Sequence, residues 1–203
     1  MTIPRIQGLV CQRCGIPLKE GGQLCFRCRE TPPALLIRAA TEYRGVMPSA
    51  IYRFKYAGRK TLAHPFGTLL HHAWEHSPEI QDTQAIVPIP LYSKNERVRG
   101  FNQAELLAKQ LAELIQRPIL PMLIRMRKTA SQIALNREKR GLNVRSAFDL
   151  HPYVRPRMET LQKCSFLLID DVCTTASTLN ECANVLRKAG ARRVKALVLA
   201  RDL

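Results

Sequence analysis

The segment that most restricts the fold runs from Phe166 to Leu179. Phe166-Leu167-Leu168-Ile169 is an unbroken apolar run, as a strand covered on both faces requires. Such strands belong to parallel sheets with helices on either side, so the run implies the α/β class. The rest of the chain agrees. Leu35 to Tyr43 and Val194 to Ala200 read as further strands, and Ala85-Ile86-Val87-Pro88-Ile89-Pro90 as a short β-type run closed by proline. Ser49 to Tyr56 and Leu62 to His76 read as helices separated at Gly58. Asn102 has the features of an N-cap, with Glu105 at the capping-box position. The helix it starts carries Leu107, Leu111, Leu114 and Ile115 and ends before Pro118. Another spans about Thr178 to Ala189, with Leu179, Cys182 and Leu186 inward and Gly190 as its stop. His151 to Arg157, with Pro152 and Pro156, reads as a surface loop.

Chemistry concentrates where the central strand meets its helix: Asp170-Asp171-Val172-Cys173-Thr174-Thr175-Ala176-Ser177-Thr178. Backbone N–H groups at a helix start bind phosphate without a lysine. Thr174, Thr175, Ser177 and Thr178 add hydroxyl donors, and Asp170 and Asp171 are placed to accept from sugar hydroxyls and to hold Mg²⁺. An ordinary strand–loop–helix capped by Ser or Thr would give no reason for two adjacent carboxylates. Cys173 reads as a pocket-lining side chain, because no neighbouring His activates it. Cys164 and Cys182 read as thiols in or near the core.

The N-terminus carries a separate signal. Cys11-x-x-Cys14 and Cys25-x-x-Cys28 are two thiol pairs on tight turns, the spacing of a closed tetrahedral Zn²⁺ site. Two disulfides or an Fe–S centre are the competing readings, and a reducing compartment disfavours the first. Four cysteine ligands leave no open position, so the zinc would be structural and would supply most of the folding free energy of so short a segment. Thr31-Pro32-Pro33 is a stiff linker. The expected organisation is a Cys₄ zinc ribbon on residues 1–32 and an α/β domain on 33–203.

Net charge narrows the partners. The chain has 32 Lys and Arg against 16 Asp and Glu, for a net charge of +16. Such an excess points to a polyanion or a phosphorylated small molecule, although a solvated basic surface is the plain alternative. Residues 125–145 are densest: Arg125, Arg127, Lys128, Arg137, Lys139, Arg140 and Arg145 against Glu138. This strip could follow a nucleic-acid backbone electrostatically, or form a loop of solvated charges. No apolar run reaches the length of a membrane span, and residues 1–5 lack a signal-peptide core, so a cytoplasmic location is expected. His72 and His76 stand at i, i+4 with no third ligand suitably spaced, and read as a surface or interface pair.

The segment from Leu167 resembles the signature of type I phosphoribosyltransferases, which bind 5-phosphoribosyl-1-pyrophosphate (PRPP). The whole chain is similar to the ComF family of competence proteins, which join a zinc ribbon to that fold. The likeness is spread in order along the sequence: Phe54-Lys55-Tyr56, Val87-Pro88-Ile89-Pro90-Leu91, Arg97-x-Arg99-Gly100-Phe101-Asn102-Gln103, Gln132, Arg137, Asn143, Ala147-Phe148 and Leu199-Ala200-Arg201.

The resemblance implies that Asp170 and Asp171 bind the ribose hydroxyls of PRPP, and that residues Thr174, Thr175, Ala176, Ser177 and Thr178 hold its 5-phosphate. It places Ser93, Lys94, Arg97 and Arg99 in the pyrophosphate loop, with Arg97 and Arg99 assisting the leaving group and Mg²⁺ bridging the pyrophosphate. Residues 125–140 would correspond to a loop that covers the site. One departure is Ala176, where the signature has Gly. The resemblance also implies a part in natural transformation, handling incoming single-stranded DNA beside other cytoplasmic competence or recombination proteins. The residues leave two activities open: a working phosphoribosyltransferase on a base or amine, or a DNA-processing factor that keeps the site.

Overall fold

A computed structural model of the 203-residue chain describes residues 2–6, 8–18, 21–127, 146–157, 159 and 162–202. Among these, the strands are Leu36–Glu42 (β1), Ala85–Pro88 (β2), Leu123–Arg125 (β3), Phe148–Leu150 (β4), Ser165–Cys173 (β5) and Arg193–Arg201 (β6). The α-helices are Phe26–Glu30 (α1), Met47–Tyr56 (α2), Ala63–Glu75 (α3), Ser93–Arg99 (α4), Gln103–Ile115 (α5) and Ser177–Lys188 (α6). Four strands pair in parallel in the order β1-β6-β5-β2. The α/β class, with a parallel sheet flanked by helices, is therefore as the sequence implied.

Side-chain alternation divides the core into two layers. Leu167 and Ile169 of β5 and Leu197 and Leu199 of β6 face α2, α3 and α5, meeting Ile51, Phe54, Leu70, Leu107 and Leu111. Phe166 and Leu168 face the other way, toward Leu179, Cys182 and Leu186 of α6 and Phe148 of β4. Cys182 thus lies in the core, and Cys164 is half-buried against it. With both faces covered, β5 can carry a continuous apolar run only until Asp170.

Both sheet edges are closed. Beside β1, Glu42 N–H donates to the Pro4 carbonyl at 2.8 Å and Ile37 N–H to that of Arg13 at 2.8 Å. Beside β2, Ile86 exchanges backbone bonds with Pro118 and Leu120 at 2.9 and 2.8 Å. The cysteine segment fits closely on β1: a Cβ on Gly15, at φ +71°, would meet the Ile37 carbonyl oxygen at 2.6 Å.

Two features differ from expectation. Residues 93–99 form helix α4, stopped by Gly100 in the left-handed region at φ +79°. β3 and β4 make a two-stranded antiparallel ladder across the α6 side of the core. The 151–157 stretch contains only a 3₁₀ turn at Arg155–Arg157, close to the loop expected.

Candidate functional site

The central strand β5 ends between β2 and β6, with Pro88 opposite Ile169 and Asp170 opposite Val198. Its two carboxylates belong to the strand itself, which runs on to Cys173. Asp171 is buried, and Lys55 of α2 reaches it as an ion pair, Nζ to Oδ2 at 2.8 Å. Burial alone would pull the Lys55 ammonium down, but the charges of Asp171 and Asp170 prevail and its pKa is raised. Asp170 accepts the Asp171 N–H at 2.8 Å. Burial, then the Asp171 charge, pushes the Asp170 carboxyl up to about 7, against the pull of Lys55 and Arg125. The site thus holds two adjacent carboxylates, one of them in ion pair with Lys55, an arrangement that a divalent cation or a cationic partner stabilises.

After Cys173 the chain turns through Thr174, Thr175 and Ala176 into α6. Ala176 is the N-cap residue in the left-handed region (φ 64°, ψ 9°), and no side chain caps the helix. No acidic residue occupies the first turn, so the positive end of a 12-residue helix meets no fixed negative charge there. Thr175 Oγ1 and Ser177 Oγ share a hydrogen bond at 2.8 Å, and Thr174, Ser177 and Thr178 are half-buried. Cys173 is buried and accepts a hydrogen bond from the buried Arg201 guanidinium. Burial pushes its thiol up to about 11 despite the Arg201 charge, which suits a wall of the loop better than a nucleophile.

The other expected residues are placed as follows. Ser93, Lys94 and Arg97 are exposed on α4. Arg99 turns to Gln103, to which it donates, and stacks over the Tyr56 ring at 4.9 Å. Arg125 lies over Phe148 at 5.3 Å, close enough to Asp170 for its charge to act there; burial lowers its own pKa. Arg127 is exposed. Lys128, Arg137, Lys139, Arg140 and Arg145 lie outside the described residues. A cleft of about 320 Å³ opens beside the C-terminal end of β2, lined by Pro90, Glu96, Glu105, Arg125, His151 and Tyr153. Sequence reasoning gave no role to Lys55 or Arg201. Both stand in stretches that carry the family resemblance, but each comes from a different element and nothing in those stretches indicates its partner.

Cys11, Cys14, Cys25 and Cys28 are buried, with all four sulfurs within 4.8 Å of one another. A tetrahedral Zn²⁺ with Zn–S near 2.3 Å sets its sulfurs about 3.8 Å apart, and Cys14 and Cys25 Sγ stand at 3.6 Å. Burial raises the Cys14 thiol to about 11 and raises Cys28 further. At Cys11 burial is overcome by backbone N–H groups of Cys14, Cys25 and Arg13, which bring it down to about 6. The centre therefore fits a metal ion such as zinc. Among the described residues it is the one group of three or more such ligands brought together. His72 and His76 stack at 4.2 Å, and no third ligand joins them among the described residues.

No family model matches the chain. Among curated proteins, Competence protein F of Haemophilus influenzae is 31% identical, covering 94% of this chain and 84% of its own. The chain belongs to the ComF family. Other relatives of this ComF-family chain are the DNA utilization protein YhgH of Escherichia coli K12 (30% identical, 98% of this chain, 87% of that one) and Competence protein ComFC of Bacillus subtilis (29%, 98% and 81%). Solved structures similar to it include a hypothetical protein from Neisseria gonorrhoeae with bound ppGpp (15% identical, 68% of this chain, 66% of that one, TM-score 0.44). Another is an allosteric regulatory enzyme of purine biosynthesis (18%, 68% and 25%, TM-score 0.41).

Proposed function

We propose that this chain serves competence and DNA utilisation in the cytoplasm, handling single-stranded DNA with the aid of a PRPP-type sugar-phosphate site. The observation that carries the site is the β5–α6 junction, where two carboxylates precede a hydroxyl-lined loop and an uncapped helix N-terminus. In this reading the loop N–H groups and the hydroxyls of Thr174, Thr175, Ser177 and Thr178 receive the 5-phosphate. Asp170 and Asp171 accept from the ribose hydroxyls and are the residues that would share Mg²⁺ with pyrophosphate oxygens. Lys55 orients Asp171 through its ion pair. Mg²⁺, when bound, offsets charge on a leaving pyrophosphate. The basic residues from Arg125 to Arg145 supply the electrostatic part of DNA binding.

The cysteine centre is read as structural Zn²⁺, which ties residues 1–32 to the β1 edge of the 33–203 domain. A second reading, an active phosphoribosyltransferase, is favoured by the cleft beside Pro90 and Arg125, which offers room for an acceptor. Calorimetry with PRPP and Mg²⁺ tests the site. We expect saturable, Mg²⁺-dependent binding that is lost in Asp171→Asn, while Asp202→Asn leaves it intact. Equal PRPP binding by wild type and Asp171→Asn would refute the assignment. Pyrophosphate release on adding bases or amines then separates the enzyme from the binding module.

A further inference from the structure

Helix α2 has a second face that the sugar-phosphate site does not use. Met47, Ile51 and Phe54 are buried on its inner side, and Phe54 meets Phe66 edge-on at 5.4 Å and Phe101 at 5.8 Å. The outer side carries Tyr52 and Tyr56, 63% and 60% exposed. Their i, i+4 spacing brings the rings together, centroids 5.1 Å apart and planes 48° tilted. Two large rings kept side by side in water on a firmly anchored helix are the kind of exposed apolar patch that marks a binding surface.

Cations stand beside them. Arg99 stacks over Tyr56, and Lys60 lies over Phe101 at 5.1 Å. Arg53, Arg59 and Lys60 are exposed. From residue 43 to residue 74 the chain has five Lys or Arg and no Asp or Glu. Flat π faces set among cations complement a strand that offers both unpaired bases and phosphates. A duplex hides its base faces, so the rings would be idle against it.

We propose that the outer face of α2 is a stacking platform for single-stranded nucleic acid, with Tyr52 and Tyr56 receiving bases and Arg53, Arg59 and Lys60 following the phosphates. The proposal deepens the reading that this chain handles single-stranded DNA, and rests on it. The two rings already touch and Arg99 lies over Tyr56, so bases add across Tyr52 or onto the Arg99–Tyr56 stack instead of slotting between the rings. Between Tyr52 and Tyr56 in sequence, Lys55 points to Asp171 at 2.8 Å.

Fluorescence anisotropy of labelled oligothymidine with the full, metal-loaded chain tests this. Replacing both rings by serine should weaken binding roughly 10- to 100-fold and leave the dependence of log K on log salt concentration unchanged. Tyr52→Phe/Tyr56→Phe should bind as wild type. Arg53→Ala/Arg59→Ala/Lys60→Ala should lower the salt slope by up to about two for a single strand. Oligonucleotides carrying 5-iodouracil should photocrosslink to the peptide holding Tyr52 and Tyr56. Urea midpoints of the serine variant near wild type would exclude misfolding as the cause. Undiminished binding by the serine variant, or a crosslink only elsewhere, overturns the platform and leaves the single-strand reading standing. Failure of wild type to bind oligothymidine at low salt overturns both. Equal affinity for duplex, or a preference for phosphatidylglycerol vesicles that needs both rings, also overturns the proposal.

Discussion

Ala176 holds φ at 64°, in a region that costs an L-residue about 1–2 kcal/mol. Replacing it by glycine removes that strain. The change also loses a methyl group that is 6% exposed, worth about 0.8 kcal/mol, and frees the unfolded backbone by about 0.4–1 kcal/mol. The terms nearly cancel, so Ala176→Gly should lie within about 1 kcal/mol of wild type. Ala183, fully buried inside α6, is the comparison. Ala183→Gly loses a similar methyl and about 1 kcal/mol of helix propensity with no relief, for a cost near 2 kcal/mol. Urea unfolding under reducing, zinc-replete conditions reads the difference. With a slope of about 2 kcal/mol per molar, the two midpoints should separate by about 0.5–1.5 M. Coincident midpoints would refute the strain argument, because both positions would then be losing the same thing. If the loop holds phosphate, Ala176→Gly should keep or improve PRPP affinity, since the glycine returns the conformation without the methyl.

Metal removal gives a second test: a strong chelator should release about one zinc per chain and destabilise the protein, and Cys28→Ser should reproduce the loss. Metal analysis alongside thermal unfolding checks both. A third concerns pH. The Asp170 carboxyl is raised from 3.8 to about 7, so the folded state binds its proton more tightly than the unfolded chain does. Its contribution is therefore full below about pH 4 and is lost as pH rises toward 7. Asp170→Asn should flatten that decline, measured as the difference in urea midpoint between pH 5 and pH 7.5.

How much of this was readable in advance depends on sequence distance. The buried strands, and helices α2, α3, α5 and α6, have local signals in their own periodicity. Asn102 is a good example: its side chain accepts from the Ala104 N–H at 3.0 Å, as an N-cap should. Helix α4 was missed because Ser93–Arg99 has charges in place of an apolar stripe, and only Gly100 marks its end. β3 and β4 are three residues each, too short to show alternation, and lie far apart in the chain. At the site, Asp170, Asp171 and the hydroxyl loop were legible because they are contiguous. Lys55 and Arg201 were not, since their roles exist only once α2 and β6 pack beside β5. Arg99 shows the same limit: its placement over Tyr56 follows from how α4 meets α2, which no single segment encodes.

The two closed edges of the sheet are closed by different means. Residues 118–120 seal β2 as part of the main chain path leading into β3. On the far side, β1 is sealed partly by Arg13, inside the cysteine segment. A chain that loses its metal or oxidises those thiols would thus free the Ile37 end of β1, while Pro4 and Ile6 still hold Glu42 and Ala40 and the other edge stays shut. One short sticky stretch per molecule permits edge-to-edge pairing of two copies and then stops, whereas two open edges would let the association run on into fibres. Damage to the cysteine centre should consequently end in discrete dimers, recoverable by reductant and zinc, in place of insoluble aggregate.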